Sequence, residues 1–296
     1  MELKAYAKIN LSIDVLCKRI DGYHEVKMIT QSIGLYDVIN FNIREKDIKI
    51  YCVNPSVPCD ESNIVFKVLK LIKESCKISY GMEVDIEKRI PVAAGLGGGS
   101  TDAACAIIAA NNIWNLNMTY DEMVLIGTKV GADVPLCIKG GTILAEGIGE
   151  IITILPSIAR SYIVLAKPPI HVSTKDVYQN LKLDEIVVRP DIDKIIKAIH
   201  EKNIKCIADN MINVLETVTI KKYPVIDEIK RIMLYTGALG SLMSGSGPTV
   251  FGLFENKESA EKCYNRLSDY IKEVYMVETV GDEVINRELG SKQEGT

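Results

Sequence analysis

Residues 91–104 form a glycine-rich loop that runs directly into an alanine-rich helix. Glycines lack the Cβ atom that keeps backbone N–H groups away from a ligand, and they permit the positive-φ conformations that gather successive N–H groups into one concavity. The glycines expected to do so are Gly95, Gly97, Gly98 and Gly99. We expect Ser100 or Thr101 to cap the helix, whose partially positive N-terminus would face the loop. The spacing therefore predicts a cradle for an oligophosphate, with contacts from Pro91, Val92, Ala93, Ala94, Gly95, Leu96, Gly97, Gly98, Gly99, Ser100 and Thr101.

Other phosphate-binding motifs are excluded. The chain has no Gly-Lys dipeptide and so no Walker A loop, no glycine triple fits G-x-G-x-x-G, and the protein-kinase signatures H-R-D and D-F-G are missing. A flexible loop before an ordinary helix would need only one glycine and a cap. The run P-x-A-x-G-L-G-G-G-S-T resembles the second motif of the small-molecule kinases named for galactokinase, homoserine kinase, mevalonate kinase and phosphomevalonate kinase.

Composition narrows the class of protein further. A chain of 296 residues with 25% charged residues is long enough for two modest soluble domains. Its net charge of -4 argues against a nucleic-acid-binding surface. No apolar run approaches a membrane span and no signal core opens the chain, so we expect a cytoplasmic protein without a membrane partner. The eight cysteines include no C-x-x-C pair, which favours reduced thiols over a zinc or disulfide framework.

The elements that would position this loop can be predicted from periodicity. Strict alternation over residues 3–15 predicts a half-buried strand whose polar face carries Lys8 and Asn10 side by side. In the first half we also expect helices at 62–75, 100–114 and 119–130, and strands at 25–35, 37–43, 81–87, 134–138, 141–146 and 150–155.

Pro156 marks the predicted boundary to a second unit. There we expect strands at 161–166, 239–243, 248–254 and 273–279, and helices at 174–181, 191–202, 207–219, 224–236 and 257–270. This order is an α+β pattern. The predicted domains are an ATP-binding domain at 1–156, a substrate-side domain at 157–284 and a disordered tail at 285–296.

Two further segments have residue types suited to chemistry. Asp133 follows a helix end, where a carboxylate is electrostatically unfavourable unless a cation such as Lys8 compensates it. A glycine and hydroxyl turn over residues 244–249, containing Gly245 and Ser246, joins two apolar strands; a tight hairpin is its simplest explanation.

Together these segments resemble the same small-molecule kinase superfamily over about residues 4–280, in order. The run Lys18–His24 and the run Gly131–Pro135 are similar to those of the branch whose acceptor is a cytidine diphosphate ester. The resemblance implies ATP-dependent phosphorylation of the 2-hydroxyl of 4-diphosphocytidyl-2-C-methyl-D-erythritol, a step of the non-mevalonate isoprenoid precursor pathway. It also implies a two-domain α+β fold: an N-terminal nucleotide-binding domain like domain 2 of ribosomal protein S5, and a ferredoxin-like C-terminal domain.

The resemblance also implies roles for individual residues. Asp133 would accept the proton of the alcohol while Lys8 keeps that carboxylate ionised, an arrangement sufficient for in-line transfer. The expected cofactors are ATP and Mg²⁺, but no metal ligand is assigned because two extra glycines precede Ser100. The implied acceptor contacts are Asn10, Tyr23, His24 and Tyr178. Thr174, one turn before Tyr178, and Gly245 and Ser246 of the late turn are further candidates for the acceptor, and Asn63 and Lys88 are candidates for the adenine.

Two alternatives remain open at this point. A homoserine or mevalonate kinase of the same superfamily would share the loop but would not need Asp21-Gly22-Tyr23-His24 together with Tyr178. A nucleotide-binding protein without catalysis would not need both Lys8 and Asp133. The sequence does not indicate an oligomeric state.

Overall fold

The computed structural model describes residues 1–288, and its first half is built on a six-stranded sheet. The strands are β1 (Glu2–Lys18), β2 (His24–Arg44), β3 (Ile48–Cys52), β4 (Gly81–Glu87), β5 (Thr142–Gly147) and β6 (Ile151–Leu155). β1 runs antiparallel to β2 along its whole length, while β4 and β5 pair with different ends of β2. The predicted strand over residues 3–15 is confirmed, but it is not half-buried: Lys8, Asn10, Ser12 and Asp14 on its polar face are buried as well.

Four helices cover this sheet: α1 (Ile64–Ser75), α2 (Gly98–Ile113), α3 (Tyr120–Thr128) and α4 (Val134–Lys139). Their buried residues share one apolar cluster with the sheet, in which Leu69 of α1 and Ala106 of α2 pack with Phe41 of β2 and Val84 of β4. α2 is buried on nearly all sides, because alanines let it lie close to its neighbours. The N-terminus of α2 is thereby fixed above the sheet.

The second half contains a four-stranded antiparallel sheet in the order β10-β7-β9-β8. This is the ferredoxin-like arrangement, so the predicted α+β fold is confirmed. Its strands are β7 (Tyr162–Lys167), β8 (Gly240–Met243), β9 (Val250–Phe254) and β10 (Glu273–Glu278). Its helices are α5 (Thr174–Asn180), α6 (Ile192–His200), α7 (Ile204–Asp209), α8 (Glu216–Lys222), α9 (Val225–Tyr235), α10 (Lys257–Ser268) and α11 (Asp282–Glu288), with a 3₁₀ turn at Leu183–Glu185.

The two sheets share a core. Ile9 of β1 and Ile29 of β2 belong to the same buried cluster as Leu165 of β7 and Phe251 of β9. The division into domains at residue 156 stays a prediction, because apolar packing runs across it. None of the helices in residues 1–288 combines the length and the hydropathy needed to cross a bilayer.

Three element predictions are wrong. Residues 134–138 form helix α4 and not a strand, because Pro135 suits the first turn of a helix and a short apolar run fits either element. β2 is one strand and not two, and β3 was not predicted. The helix predicted at 207–219 is interrupted between α7 and α8, where Val214 N–H donates to the Ile13 carbonyl and residue 213 bridges to β1.

The predicted tail also needs correction. Helix α11 spans Asp282–Glu288, and its Ile285 is buried, so disorder from residue 285 onward is wrong for these residues. Ile285 lies close to Gly140, where an added Cβ would meet its Cδ1 at 2.5 Å. The rest of the predicted tail, 289–296, lies outside the described residues.

Candidate active site

The phosphate loop, residues 91–99, has positive φ at Ala93 (53°), Gly95 (77°) and Gly97 (72°). Gly97 is the N-cap of α2, and no side chain caps this helix. The predictions of a Ser100 or Thr101 cap and of positive φ at Gly98 and Gly99 are therefore wrong, because the helix already begins at Gly98. The backbone N–H groups of its first turn are left without intrahelical partners, as a phosphate site requires.

A cleft of about 360 Å³ opens over this loop. It is lined by the predicted nucleotide contacts Asn63, Lys88, Pro91, Val92, Ala93, Ala94, Gly95, Leu96, Gly97, Gly98, Gly99 and Ser100. Thr101 is not brought into the cleft; it is buried and lines a small internal cavity with Lys8 and Cys137. Ser56, Val57, Pro58 and Ser62 also line this cleft, and no role in binding was predicted for them from the sequence.

The side chains of the two predicted adenine contacts are already engaged. Asn63 caps α1, accepting from Val65 N–H at 2.8 Å and donating to the Pro58 carbonyl at 2.6 Å. Lys88 Nζ lies 2.6 Å from Asp37 Oδ2 and 2.5 Å from Asp102 Oδ2. Asp37 and Asp102 were missed by sequence reasoning; a lone acid inside an apolar strand or helix was the available signal.

Lys8 and Asp133 form an ion pair beside the loop, where a Cβ on Gly97 would lie 3.0 Å from Lys8 Cγ. Lys8 Nζ lies 3.3 Å from Asp133 Oδ2 and donates to Asn10 Oδ1 at 2.8 Å. Lys8 is buried, whereas the Asp133 side chain keeps 34% of its exposure. Asp133 also directly precedes α4, so it faces the favourable end of that helix as well as the unfavourable end of α3. A carboxylate that is partly exposed and paired with a cation is suited to accept a proton.

A second cleft, of about 560 Å³, is lined by both residues of this ion pair. It contains every predicted acceptor contact: Asn10, Tyr23, His24, Thr174, Tyr178, Gly245 and Ser246. Gly95 and Gly97 line both clefts, so the two meet at the phosphate loop. Sequence reasoning missed Lys18, Met28, Lys175 and Gln179, which also line this cleft but have no distinctive sequence context.

Two rings form one wall of the second cleft. The His24 and Tyr178 centroids are 5.1 Å apart with their planes tilted by 41°. Burial, with a smaller contribution from Lys18, lowers the pKa of His24, so the imidazole is neutral at pH 7. Burial and then the charge of Asp133 raise the pKa of Tyr178 to about 12. The wall therefore offers neutral rings and neutral hydrogen-bonding groups.

The turn at residues 244–249 comes from the second half of the chain and packs on the phosphate loop. Ser244 Oγ donates to the Gly95 carbonyl at 2.9 Å, and Thr249 N–H donates to the Ala94 carbonyl at 3.3 Å. A Cβ on Gly95 would lie 2.3 Å from the Ser244 carbonyl oxygen. The turn is thus more than a hairpin connection, since it holds the loop in shape.

A glycine-loop cleft that adjoins a second cleft lined by a lysine-paired carboxylate is the arrangement expected of a phosphotransferase that acts on a small molecule. Comparisons with known proteins agree. The family model "GHMP kinases N terminal domain" matches residues 63–141, and "GHMP kinases C terminal" matches residues 192–273.

Similar sequences and solved structures show which branch of this family the chain resembles. The chain is 55% identical to a 4-diphosphocytidyl-2-C-methyl-D-erythritol kinase of Acetivibrio thermocellus, over 95% of this chain and 99% of the relative. It is 47% identical to the enzyme of the same name from Caldicellulosiruptor saccharolyticus, over 97% of this chain and 100% of the relative. A crystal structure of 4-(cytidine 5'-diphospho)-2C-methyl-D-erythritol kinase is 27% identical in sequence to this chain. The two structures superpose with a TM-score of 0.82, over 95% of this chain and 100% of the other. The chain belongs to the GHMP kinases and, among them, to the family of 4-diphosphocytidyl-2-C-methyl-D-erythritol kinases.

Proposed function

We propose that this chain transfers the γ-phosphoryl group of ATP to the 2-hydroxyl of 4-diphosphocytidyl-2-C-methyl-D-erythritol, in the non-mevalonate route to isoprenoid precursors. The observation that carries the proposal is the Lys8–Asp133 pair in the second cleft, beside Gly97, which lines both clefts. The names of the relatives support the choice of acceptor. A cytoplasmic location and the lack of a nucleic-acid partner stay predictions.

The proposed chemistry is one in-line displacement. The acceptor oxygen forms a bond to the γ-phosphorus as the bond from that phosphorus to the β–γ bridging oxygen breaks, releasing ADP. Asp133 accepts the hydroxyl proton, and Lys8 stabilises the carboxylate and the developing negative charge. Asn10, fixed by its hydrogen bond from Lys8, orients the acceptor hydroxyl. No covalent enzyme intermediate is required.

Mg²⁺ enters this proposal as part of the MgATP substrate. Within the described residues, no cluster of three histidine, cysteine or acidic side chains is suited to hold a metal ion. Mg²⁺ usually keeps several waters and binds chiefly to substrate phosphates. The phosphate oxygens and water are therefore its main ligands, while the loop N–H groups and the α2 N-terminus hold the rest of the triphosphate.

The second cleft suits each part of the proposed acceptor. The pyrimidine packs against the rings of His24 and Tyr178, with Tyr23 at the rim. Within residues 1–288, the side-chain ammonium groups of Lys18 and Lys175 form no ion pair or hydrogen bond, so both cations are available to the diphosphate. The hydroxyls of Thr174 and Ser246, 2.7 Å apart, offer further polar contacts from the facing wall, where Gly245 keeps the turn open.

The test is ADP formation with MgATP and a panel of alcohols. We expect turnover with the cytidine diphosphate ester of methylerythritol and none above the acceptor-free background with homoserine, mevalonate or galactose. Phosphorus NMR of the product identifies the phosphorylated position. Comparable turnover of mevalonate or homoserine would instead establish the alternative of another kinase of this superfamily.

A further inference from the structure

Below the phosphate loop, three charged side chains meet out of solvent: Asp37 of β2, Lys88 from the segment after β4, and Asp102 of α2. We call them the Asp37–Lys88–Asp102 group. Lys88 Nζ contacts Asp37 Oδ2 at 2.6 Å and Asp102 Oδ2 at 2.5 Å. The side chains of Lys88, Asp37 and Asp102 are 4%, 0% and 5% exposed. The proposed chemistry uses none of them.

The group touches both ends of the loop. Asp37 Oδ1 accepts from the backbone N–H groups of Arg89 at 2.6 Å and Ile90 at 2.8 Å, just before the loop begins. At the other end, a Cβ on Gly98 would lie 3.2 Å from Lys88 Nζ. Asp102 itself belongs to α2, one turn after Gly98. Three elements that are distant in sequence are thus tied together where the loop must keep its shape.

Charge balance is the second observation. Two ionised carboxylates and one ammonium would leave a net charge of -1, and Asp102 Oδ1 has no hydrogen-bond partner in the described residues. An uncompensated buried charge is costly, and a negative charge below the loop would also repel a triphosphate. Burial, opposed by the charge of Lys88 and reinforced by the charge of Asp37, raises the pKa of Asp102 to about 8. Burial by itself would lower the pKa of Lys88, but the charges of Asp102 and Asp37 outweigh this effect, so the pKa of Lys88 is raised.

We propose that Asp37, Lys88 and Asp102 are positioning residues that hold the phosphate loop ready for nucleotide, and that they do so as a neutral group with one proton retained at Asp102. This inference rests on the proposed use of the loop for ATP. Loss of that proton places a negative charge beside the cradle. Nucleotide affinity therefore falls as the pH rises through the range in which Asp102 ionises.

Other titratable groups near Asp102 do not ionise in this range. The thiols of Cys52 on β3, Cys105 on α2 and Cys137 on α4 are those that interact with its charge. Burial raises the pKa of all three above the ordinary value of 9.0. All three therefore remain largely protonated at pH 8, so Asp102 is the first of these groups to change its charge as the pH rises.

The experiment measures the ATP dissociation constant by calorimetry without acceptor, from pH 6.5 to 9. The parent is compared with Asp102→Asn, which keeps the shape and is permanently neutral. Because each comparison is made at the same pH, protonation of the nucleotide cancels. We expect parent affinity to fall by about tenfold from pH 7 to pH 9, and that of Asp102→Asn by less than about twofold, with equal affinities near pH 6.5. Asp85→Asn removes an exposed carboxylate of β4 and is the matched control, expected to follow the parent.

Lys88→Met tests positioning. It should raise KM for ATP by roughly tenfold or more while changing kcat less, because the loop loses its shape and Asp133 stays in place. If this variant does not fold, the Asp102→Asn profile still decides. Identical pH profiles for parent and Asp102→Asn, or a tenfold loss of affinity in Asp102→Asn at pH 6.5, overturns the inference. Failure of the proposed function looks different: ATP binds as expected but the cytidine ester is not phosphorylated.

Discussion

Replacing Gly97 with alanine should slow phosphoryl transfer more than it destabilises the fold. Gly97 has φ 72° at the N-cap of α2, where a non-glycine residue costs about 1–2 kcal/mol. An added Cβ would lie 3.0 Å from Lys8 Cγ and 3.1 Å from Lys8 Cε. Carbon atoms prefer about 3.5–4.0 Å, so the side chain of Lys8 must move by roughly 0.5–1 Å. The Lys8 backbone cannot follow freely, because its N–H donates to the Leu96 carbonyl at 3.0 Å.

The movement displaces Lys8 Nζ from Asp133 and Asn10. A misplacement of about 1 Å at a reacting centre can cost about 10² in rate, so we expect kcat to fall by roughly 10- to 100-fold. Urea unfolding should show a loss of about 1–2 kcal/mol. Gly99→Ala is the stability control, since Gly99 has no positive φ and its Cβ would meet Ile64 Cγ2 at an ordinary 3.7 Å.

The assay is steady-state ADP release with the cytidine ester, together with urea unfolding of each variant. Gly34→Ala, in β2 away from both clefts, is the kinetic control and should keep the parent kcat. If Gly97→Ala lost stability but kept kcat within threefold of the parent, Gly97 would not set the position of Lys8, and the reasoning would be refuted.

Three further predictions follow from the same contacts. Asp133→Asn should keep ATP affinity by calorimetry and lose roughly 10² to 10⁴ in kcat; a loss below tenfold would contradict a role as base. The free energy of unfolding of Gly95→Ala, measured in urea, should be at least about 3 kcal/mol lower than that of the parent, because its Cβ would clash with the Ser244 carbonyl at 2.3 Å. An unfolding midpoint equal to that of the parent would show that the turn at 244–249 moves to accommodate the Cβ. Asp102 has a raised pKa in the folded protein, about 8 against 3.8, so its stabilising contribution is complete below pH 3.8 and is lost as the pH rises to about 8. The unfolding free energy of the parent should therefore fall relative to Asp102→Asn between pH 5 and pH 8, and a constant difference in urea titrations would exclude the retained proton.

Local patterns in the sequence were sufficient to predict much of this protein. The glycine run predicted a positive-φ loop that leads into α2, since such a loop is a property of consecutive residues; its use for phosphate stays a prediction. The period-2 pattern predicted β1 and placed Lys8 and Asn10 on one face of it. The α+β class followed from the order of elements, and resemblance supplied the acceptor contacts, all of which line one cleft.

Local patterns failed where distant contacts decide the conformation. A short apolar run such as residues 134–138 fits a helix or a strand until its packing partners are known. The helical pattern at 207–219 is overridden because Asn213 donates to the carbonyls of Met243 and Gly245, both at 2.8 Å. The N-cap of α2 is Gly97 and not Ser100 or Thr101, and the missing Cβ of this glycine leaves room for the side chain of Lys8.

The fold alone decided which polar groups meet. Lys8 and Asp133 are 125 positions apart, and Gly95 lies against Ser244 across almost half the chain. No periodicity records that Lys88 is held between Asp37 and Asp102. The physical reason is that a spacing in sequence fixes only which side of its own element a residue faces. The packing of elements fixes its partner, and through that partner its burial, its charge and its chemistry.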